Sequence, residues 1–335
     1  MPPGHSEQLM FDWDPAGPRG GPLPAVAALA ERLGGLADRG IYLGTSSWKY
    51  PGWQNLIYDP ARYRNRSGSF SHRRFNDECL TEYAEVFPTV CGDFVFYQFP
   101  SESQWKQTFR QVPAGFKFSL KVPEEVTVER YPNLARYGQK AGTANLHFLD
   151  PAMVRDQLLD RLEPYRDGLG VLIFQFPIFH AGPLSDARTF AKRLEGMLSR
   201  LPVDRFRFAV EVRNASFLDE ESRDDYLALL HDYQVAHALN SWTHMPSVAE
   251  QLRVPGVLTA PHVVARLLLR PGRPYRQAVD AFAPYDRIKD PYPQGRGALR
   301  ELIETCLKGA RTLYAFVNNR FEGNAVLTID ETTRE

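Results

Sequence analysis

The sequence predicts an α/β protein: a TIM-like (β/α)8 barrel with a closed parallel sheet and an N-terminal extension. Three observations predict it. Strand-like apolar segments alternate with amphipathic helical patterns about eight times along the 335 residues, the rhythm of a parallel barrel. Polar groups recur on one face of the strands and near their C-terminal ends, at Lys121, Gln175, Glu211 and Arg213. The first strand leads into TSSWKYPGW, with no GxGxxG and no GxxxxGK[ST], whereas an open doubly wound sheet usually places a glycine-rich turn there.

The elements follow in order. Residues 1–24 are rich in Pro and Gly and read as an extended arm. Val26, Leu29, Ala30, Leu33 and Leu36 then share one helical face. Residues 1–40 are therefore assigned to an N-terminal arm and helix, and residues 41–330 to a single barrel domain. The strands expected are IYLGTSS, DFVFYQF, FKFSLKV, GVLIFQF, FRFAVEV, VAHALNS, HVVARLLL and TLYAFVN. Helical spacing separates most of them, as at Phe75, Cys79, Leu80 and Tyr83. Ser101 and Gln104 form a capping-box signature before Trp105 and Phe109. Two stretches break the rhythm: the basic, Ser-rich run 62–74, and residues 122–150, which are long for a βα connection.

Composition narrows the function. Forty Lys+Arg balance 40 Asp+Glu, which disfavours a surface that is a nucleic-acid glove all over. Cys79, Cys91 and Cys306 are widely spaced and form no CxxC, so they read as reduced, buried thiols of a cytoplasmic protein. No apolar run approaches the ~18 residues of a membrane span. The N-terminus lacks the basic start and apolar stretch of a secretory signal. His231, His237 and His244 show no metal-ligand spacing, and no cofactor signature is present.

Period-two reading of the strands locates the candidate site. Phe208, Val210 and Val212 share one face of their strand, and Ala209, Glu211 and Arg213 share the other. Phe116, Phe118 and Leu120 oppose Ser119 and Lys121; Leu172 and Phe174 oppose Ile173 and Gln175. The bulky apolar face belongs under the helices, so the polar set looks into the barrel. It ends at the C-terminal mouth, where barrel enzymes build their sites. Two readings stand side by side: a functional cluster, or a structural network in which Glu211 and Arg213 neutralise each other.

GTSSWKYPGW (44–53), FYQFPSESQWKQTFRQVPAGFKFSLKVP (96–123), LGVLIFQFP, FAVEVRNASF and YAFVNNRFEGNA resemble, in order, the signature blocks of the YecE-like family, also called the domain of unknown function 72. The resemblance runs from Ile41 to Ile329 and implies a TIM-like barrel without implying a reaction. RPGRPY and APYD suggest a larger bacterial-type branch. The chain departs from the family pattern at Cys91, Asp93, Thr127, Val128, Asn214 and Phe217, and after the seventh strand, where it reads LLLRPGR. Lys121, Gln175, Glu211, Arg213, Arg266, Asn318 and Asn319 match it.

Two main functional expectations follow. The first is an enzyme acting on a small polar, anionic substrate. Glu211 and Lys121 would supply general acid/base or electrostatic catalysis. Gln175, Arg213, Asn318 and Asn319 would orient the substrate, and Trp48 and Tyr50 would stack on it. Arg266, Arg270 and Arg273 would hold its charged end, because the loops after strands seven and eight of such barrels often bind phosphate. The plainer reading of Arg270 and Arg273 is pairing with Asp280 or Asp286. The second expectation is a nucleic-acid or polyanion binder using Arg62, Arg64, Arg66, Arg73 and Arg74 with Tyr63, Phe70 and Phe75. A non-catalytic metabolite sensor would use the same mouth.

Overall fold

The computed structural model describes residues 21–97 and 99–334. Residues 1–20 of the expected arm lie outside this range. Eight parallel strands close into a barrel in sequence order: β1 Ile41–Thr45, β2 Thr89–Gly92, β3 Lys117–Lys121, β4 Leu169–Gln175, β5 Phe208–Glu211, β6 Ala236–Ser241, β7 His262–Leu267 and β8 Thr312–Val317. Closure runs through β1 and β8, paired from Ile41 with Leu313 to Thr45 with Val317.

Strand alternation divides the core in two. Leu43, Val90, Phe118, Leu120, Phe174, Val210 and Leu239 turn outward into the large core beneath the helices. Cys91, Val171, Ile173, Ala209, Ala236, Ala238, Val264, Tyr314 and Phe316 fill the interior. Alanines on β5 and β6 leave room for the aromatic pair on β8, and Tyr314 stacks on Tyr42 at 5.1 Å between centroids. The helices follow the same logic. In Ala187–Leu198, Asp186 caps the first turn by accepting from the Thr189 backbone N–H at 2.7 Å. Its Phe190, Leu194, Met197 and Leu198 are buried, each contributing roughly 1.5–3 kcal/mol of apolar burial. The Ser101 capping box forms as expected, with Gln104 Oε1 accepting from the Ser101 backbone N–H at 2.7 Å. The helix Ala27–Ala37 buries Leu29 and Leu33, and its Arg32 pairs with Asp330 of the last helix, Ala325–Thr333.

The second strand differs from the sequence expectation. Pairing with β3 covers Thr89–Gly92, and the segment expected as strand, from Asp93 onward, turns away over the barrel end. Phe96 N–H donates to the Asp93 carbonyl at 3.0 Å. Gly92 permits the turn: a Cβ there would stand 2.7 Å from the Phe94 ring. The aromatic run is thus apolar because it packs, with Phe94 edge-on to Trp48 and against Trp105. The long 122–150 stretch is also built. Asn145 Nδ2 donates to the carbonyls of Glu125 at 2.6 Å and Val128 at 2.7 Å, tying its two limbs together.

Gly44 sets how closely β1 approaches β2. A Cβ at this position would lie 2.1 Å from the Thr89 carbonyl oxygen, and backbone cannot yield as a side-chain tip can. Gly44→Ala should destabilise the fold by about 1–3 kcal/mol or more. Urea unfolding checks this, and an unchanged midpoint would mean that the two strands are free to separate. All three cysteines are buried and unbridged. Among the described residues, no helix is long and apolar enough to cross a membrane.

Candidate functional site

The mouth of the barrel is built from the last inward position of several strands. On β5 this is Glu211, which has no exposed surface. Arg213, two residues on, donates to Glu211 Oε1 from Nη2 at 2.8 Å and from Nε at 3.1 Å. Arg266 on β7 donates from Nη1 to Glu211 Oε2, and to Gln175 Oε1 on β4 at 2.8 Å. Period two and barrel closure together account for the convergence: Gln175 sits beside Glu211 in register, and Asn240 beside Arg266.

These contacts decide the electrostatics. Burial alone would push the Glu211 carboxyl up, but Arg266 and Arg213 hold it below the usual carboxylate range. The arginines stay charged at any relevant pH. Arg213 also lies flat over Trp242, 3.7 Å from the ring centre. Among the described residues, Arg266 Nε is buried without a hydrogen-bond partner, as are Arg320 Nε and Asn319 Nδ2. Asn318 and Asn319 are buried and largely turned to backbone: Asn318 Oδ1 accepts from Arg320 N–H at 3.0 Å, and Asn319 Oδ1 from Ala325 N–H at 2.8 Å.

Lys121 takes a different partner from Glu211. Its Nζ lies 3.1 Å from Asp93 Oδ1 and 4.0 Å above the Phe96 ring. Burial depresses its pKa, Asp93 opposes the shift, and Arg266 adds to it. The Asp93 side chain is 46% exposed, so the pair opens to solvent on the carboxylate side. Cys91, below Asp93 on β2, has its thiol pushed up to about 11 by burial and is a packing residue at neutral pH.

Other expected residues fall elsewhere. Arg270 and Arg273 share the carboxylate of Asp290, not Asp280 or Asp286, with Arg270 Nη1 at 3.6 Å. Their guanidinium groups also cover Tyr292 and Phe282. Two guanidinium groups thus share one carboxylate at this corner, and among the described residues Arg273 Nη1 is buried without a hydrogen-bond partner. Trp48 is buried, its carbonyl accepts from Tyr58 O–H, and its side lines a cavity of about 310 Å³ with Lys49 and Phe94. Tyr50 packs against Trp53 and Tyr285. In the basic run, Tyr63 and Phe75 are buried and Phe70 packs on both. Arg73 and Arg74 pair with Asp77 and Glu78. The aromatic rings of this run anchor the loop to the core.

The sequence reading missed Trp242, Tyr97 and Tyr275. Trp242 was within reach of the parity argument, two residues beyond inward Asn240. Tyr97 and Tyr275 stand on loops, where no period applies. Two cavities lie away from the charged cluster. One of about 310 Å³ is lined by Lys49, Asp77 and Gln104, and one of about 360 Å³ lies at the opposite barrel end beside Gln234 and Arg311. Among the described residues, no three of His, Cys, Asp and Glu gather as a metal-ligand set.

Residues 42–335 match the family described as "Protein of unknown function DUF72". The chain belongs to the DUF72 family. Its fold is similar to that of a DUF72 family protein from Thermotoga maritima, at 21% identity and a TM-score of 0.58 over 88% of this chain and 98% of that one. It is similar also to a DUF72 family protein from Enterococcus faecalis, at 15% identity and a TM-score of 0.57 over 88% and 96% of the two chains. At these identities the likeness is one of fold. No curated protein matches the chain. The mouth cluster of this DUF72 protein is thus what its own residues must explain.

Proposed function

We propose that the protein is an enzyme acting on a small anionic substrate held at the C-terminal mouth of the barrel. One observation carries the reading. Four cations, Lys121, Arg213, Arg266 and Arg320, gather around only two carboxylates, Glu211 and Asp93, with guanidinium donors left unpartnered. A purely structural network would be expected to balance its charges and satisfy its donors. An anion supplies both missing terms.

In this reading Glu211 is an anchor that fixes two arginines, because both of its oxygens are engaged and its proton affinity is low. Lys121 is the group with chemical freedom. Its burial makes the ammonium release a proton more readily than a surface lysine, and half-exposed Asp93 links it to solvent. It would donate to, or stabilise, negative charge forming on the substrate while Arg213 holds the anionic end. The three buried, unbridged thiols support a reducing compartment such as the cytoplasm.

Sulfate titration followed by thermal unfolding tests the site, since a ligand that binds the folded state raises its stability saturably. Lys121→Met and Arg320→Gln should each weaken sulfate binding about tenfold, the scale of one charge-assisted hydrogen bond. Arg270→Gln should leave it unchanged. Affinity should also fall as pH rises through the Lys121 pKa, which lies below the ordinary 10.5. Identical titrations in all variants, or loss only in Arg270→Gln, would overturn the proposal.

A further inference from the structure

The mouth has two chemically different sides. The cations come from β3, β5, β7 and the turn after β8. The loops after β7, β8, β1 and β2 follow one another around the closed sheet, and they carry aromatic rings that include Tyr275 and Tyr285 after β7, Tyr50 after β1, and Phe96 and Tyr97 after β2. Most of these rings have partners. Tyr50 packs against Tyr285 with centroids 5.6 Å apart, and Phe96 lies between Tyr97 and Lys121. Tyr97 and Tyr275 also have neighbours, Arg136 over the first and Arg320 over the second, yet stay 61% and 47% exposed. Singly exposed aromatics need no explanation. These two, however, are each tied to a cation of the mouth, Tyr97 through Phe96 to Lys121 and Tyr275 directly to Arg320.

The rings are also wired to the floor. Arg320 lies 4.6 Å from the centre of the Tyr275 ring, and Trp242, 6.1 Å from Tyr275, carries Arg213 on its other contact. A guanidinium stacked on an aromatic face is held with its donors pointing sideways. Arg213 and Arg320 are thus presented to an anion at the foot of the same wall whose top is an open tyrosine face.

We propose that the ligand is an aromatic phosphate, whose phosphate group sits on the Lys121, Arg213 and Arg320 cations and whose flat ring stacks at the rim on Tyr97 and Tyr275. This rests on the anionic-site reading above and adds to it the nature of the other end of the molecule. A phosphate monoester carries up to two negative charges near neutral pH, which matches the excess of cations over carboxylates. A π-face is what an exposed tyrosine can recognise without regard to ring substituents, so nucleotides fall within the class.

Inorganic phosphate and phenyl phosphate, titrated separately into the full-length protein and followed by calorimetry, test the inference. Phenyl phosphate should bind at least about tenfold more tightly than inorganic phosphate. The Tyr97→Ala variant should lose most of that advantage while keeping its affinity for inorganic phosphate, Tyr275→Ala should weaken both because its ring holds Arg320, and the Tyr97→Phe, Tyr275→Phe double variant should keep both. Both tyrosines are exposed, so folding should be unaffected. Phosphate binding with no gain for phenyl phosphate would overturn the aromatic assignment and leave the anion site standing. A gain that survives in the Tyr97→Ala variant would overturn it too, since the ring would then sit elsewhere. Failure of both ligands to bind would remove the anion site itself.

Discussion

Glu211→Ala should destabilise the folded protein by about 3–5 kcal/mol, the scale expected when one partner of a buried ion pair is removed. Glu211 is fully buried and receives hydrogen bonds from both Arg213 and Arg266, each nearly inaccessible itself. Without the carboxylate, two guanidinium groups face each other across the barrel end with no counter-charge. Glu211→Gln should fall between wild type and Glu211→Ala, because its amide oxygen can still accept from one arginine. Urea unfolding at pH 7 measures both. A glutamine variant as stable as wild type would show that solvent or ions neutralise the arginines and that Glu211 is no anchor. The linkage has a definite sign. A carboxylate held below its ordinary value of 4.5 contributes fully above that pH and loses its contribution as pH falls through the depressed value.

A second large effect should appear earlier on acidification, between pH 6.5 and 4. His237 and His262 are buried, and burial lowers each from 6.5 to about 4. His237 is hydrogen-bonded to Tyr226 at 3.1 Å on the helix-facing side of β6, and His262 to the Phe208 carbonyl at 2.9 Å. The unfolded chain therefore takes up protons at pH values where the folded one does not. Stability is full above 6.5 and declines as pH falls towards 4, by about 3 kcal/mol for each histidine at the lower limit. Unfolding free energies measured from pH 7 to 4.5 should show the slope, and a His237→Gln, His262→Gln double variant should flatten it. An equal slope in that variant would place the acid sensitivity in other groups.

The two predictions differ in how far the sequence alone could have led to them. Glu211 was marked in the sequence, because a closed parallel barrel imposes a strict inside and outside and β-strands have a period of two. A charged residue at inward parity near a strand's C-terminal end has one place to go. The same logic puts Gln175 beside Glu211, whereas Arg266, expected with Arg270 and Arg273 at the charged end of a substrate, joins Glu211 only in the folded barrel. The histidines carried no such mark: His237 shared its face with Val235 and Leu239, which says that it is buried and nothing about its proton.

The eightfold alternation, the faces of β3, β4 and β5 and the end of the barrel that carries charge were therefore settled by local periodicity, which any reader of the chain can count, while β2 lies before the segment that periodicity marked. Partnership was decided only by the folded structure. Lys121 faces Asp93 rather than Glu211, Arg270 and Arg273 share Asp290, and β2 stops at Gly92 so that Phe94 and Phe96 can fold over the mouth. Tyr50 and Tyr285 meet edge to face from loops far apart in the chain. The reason is physical. A strand repeats every two residues and so reports its faces in sequence, while a loop has no period, and an ion pair depends on distances in space that closure of the barrel sets after the chain has turned back on itself many times.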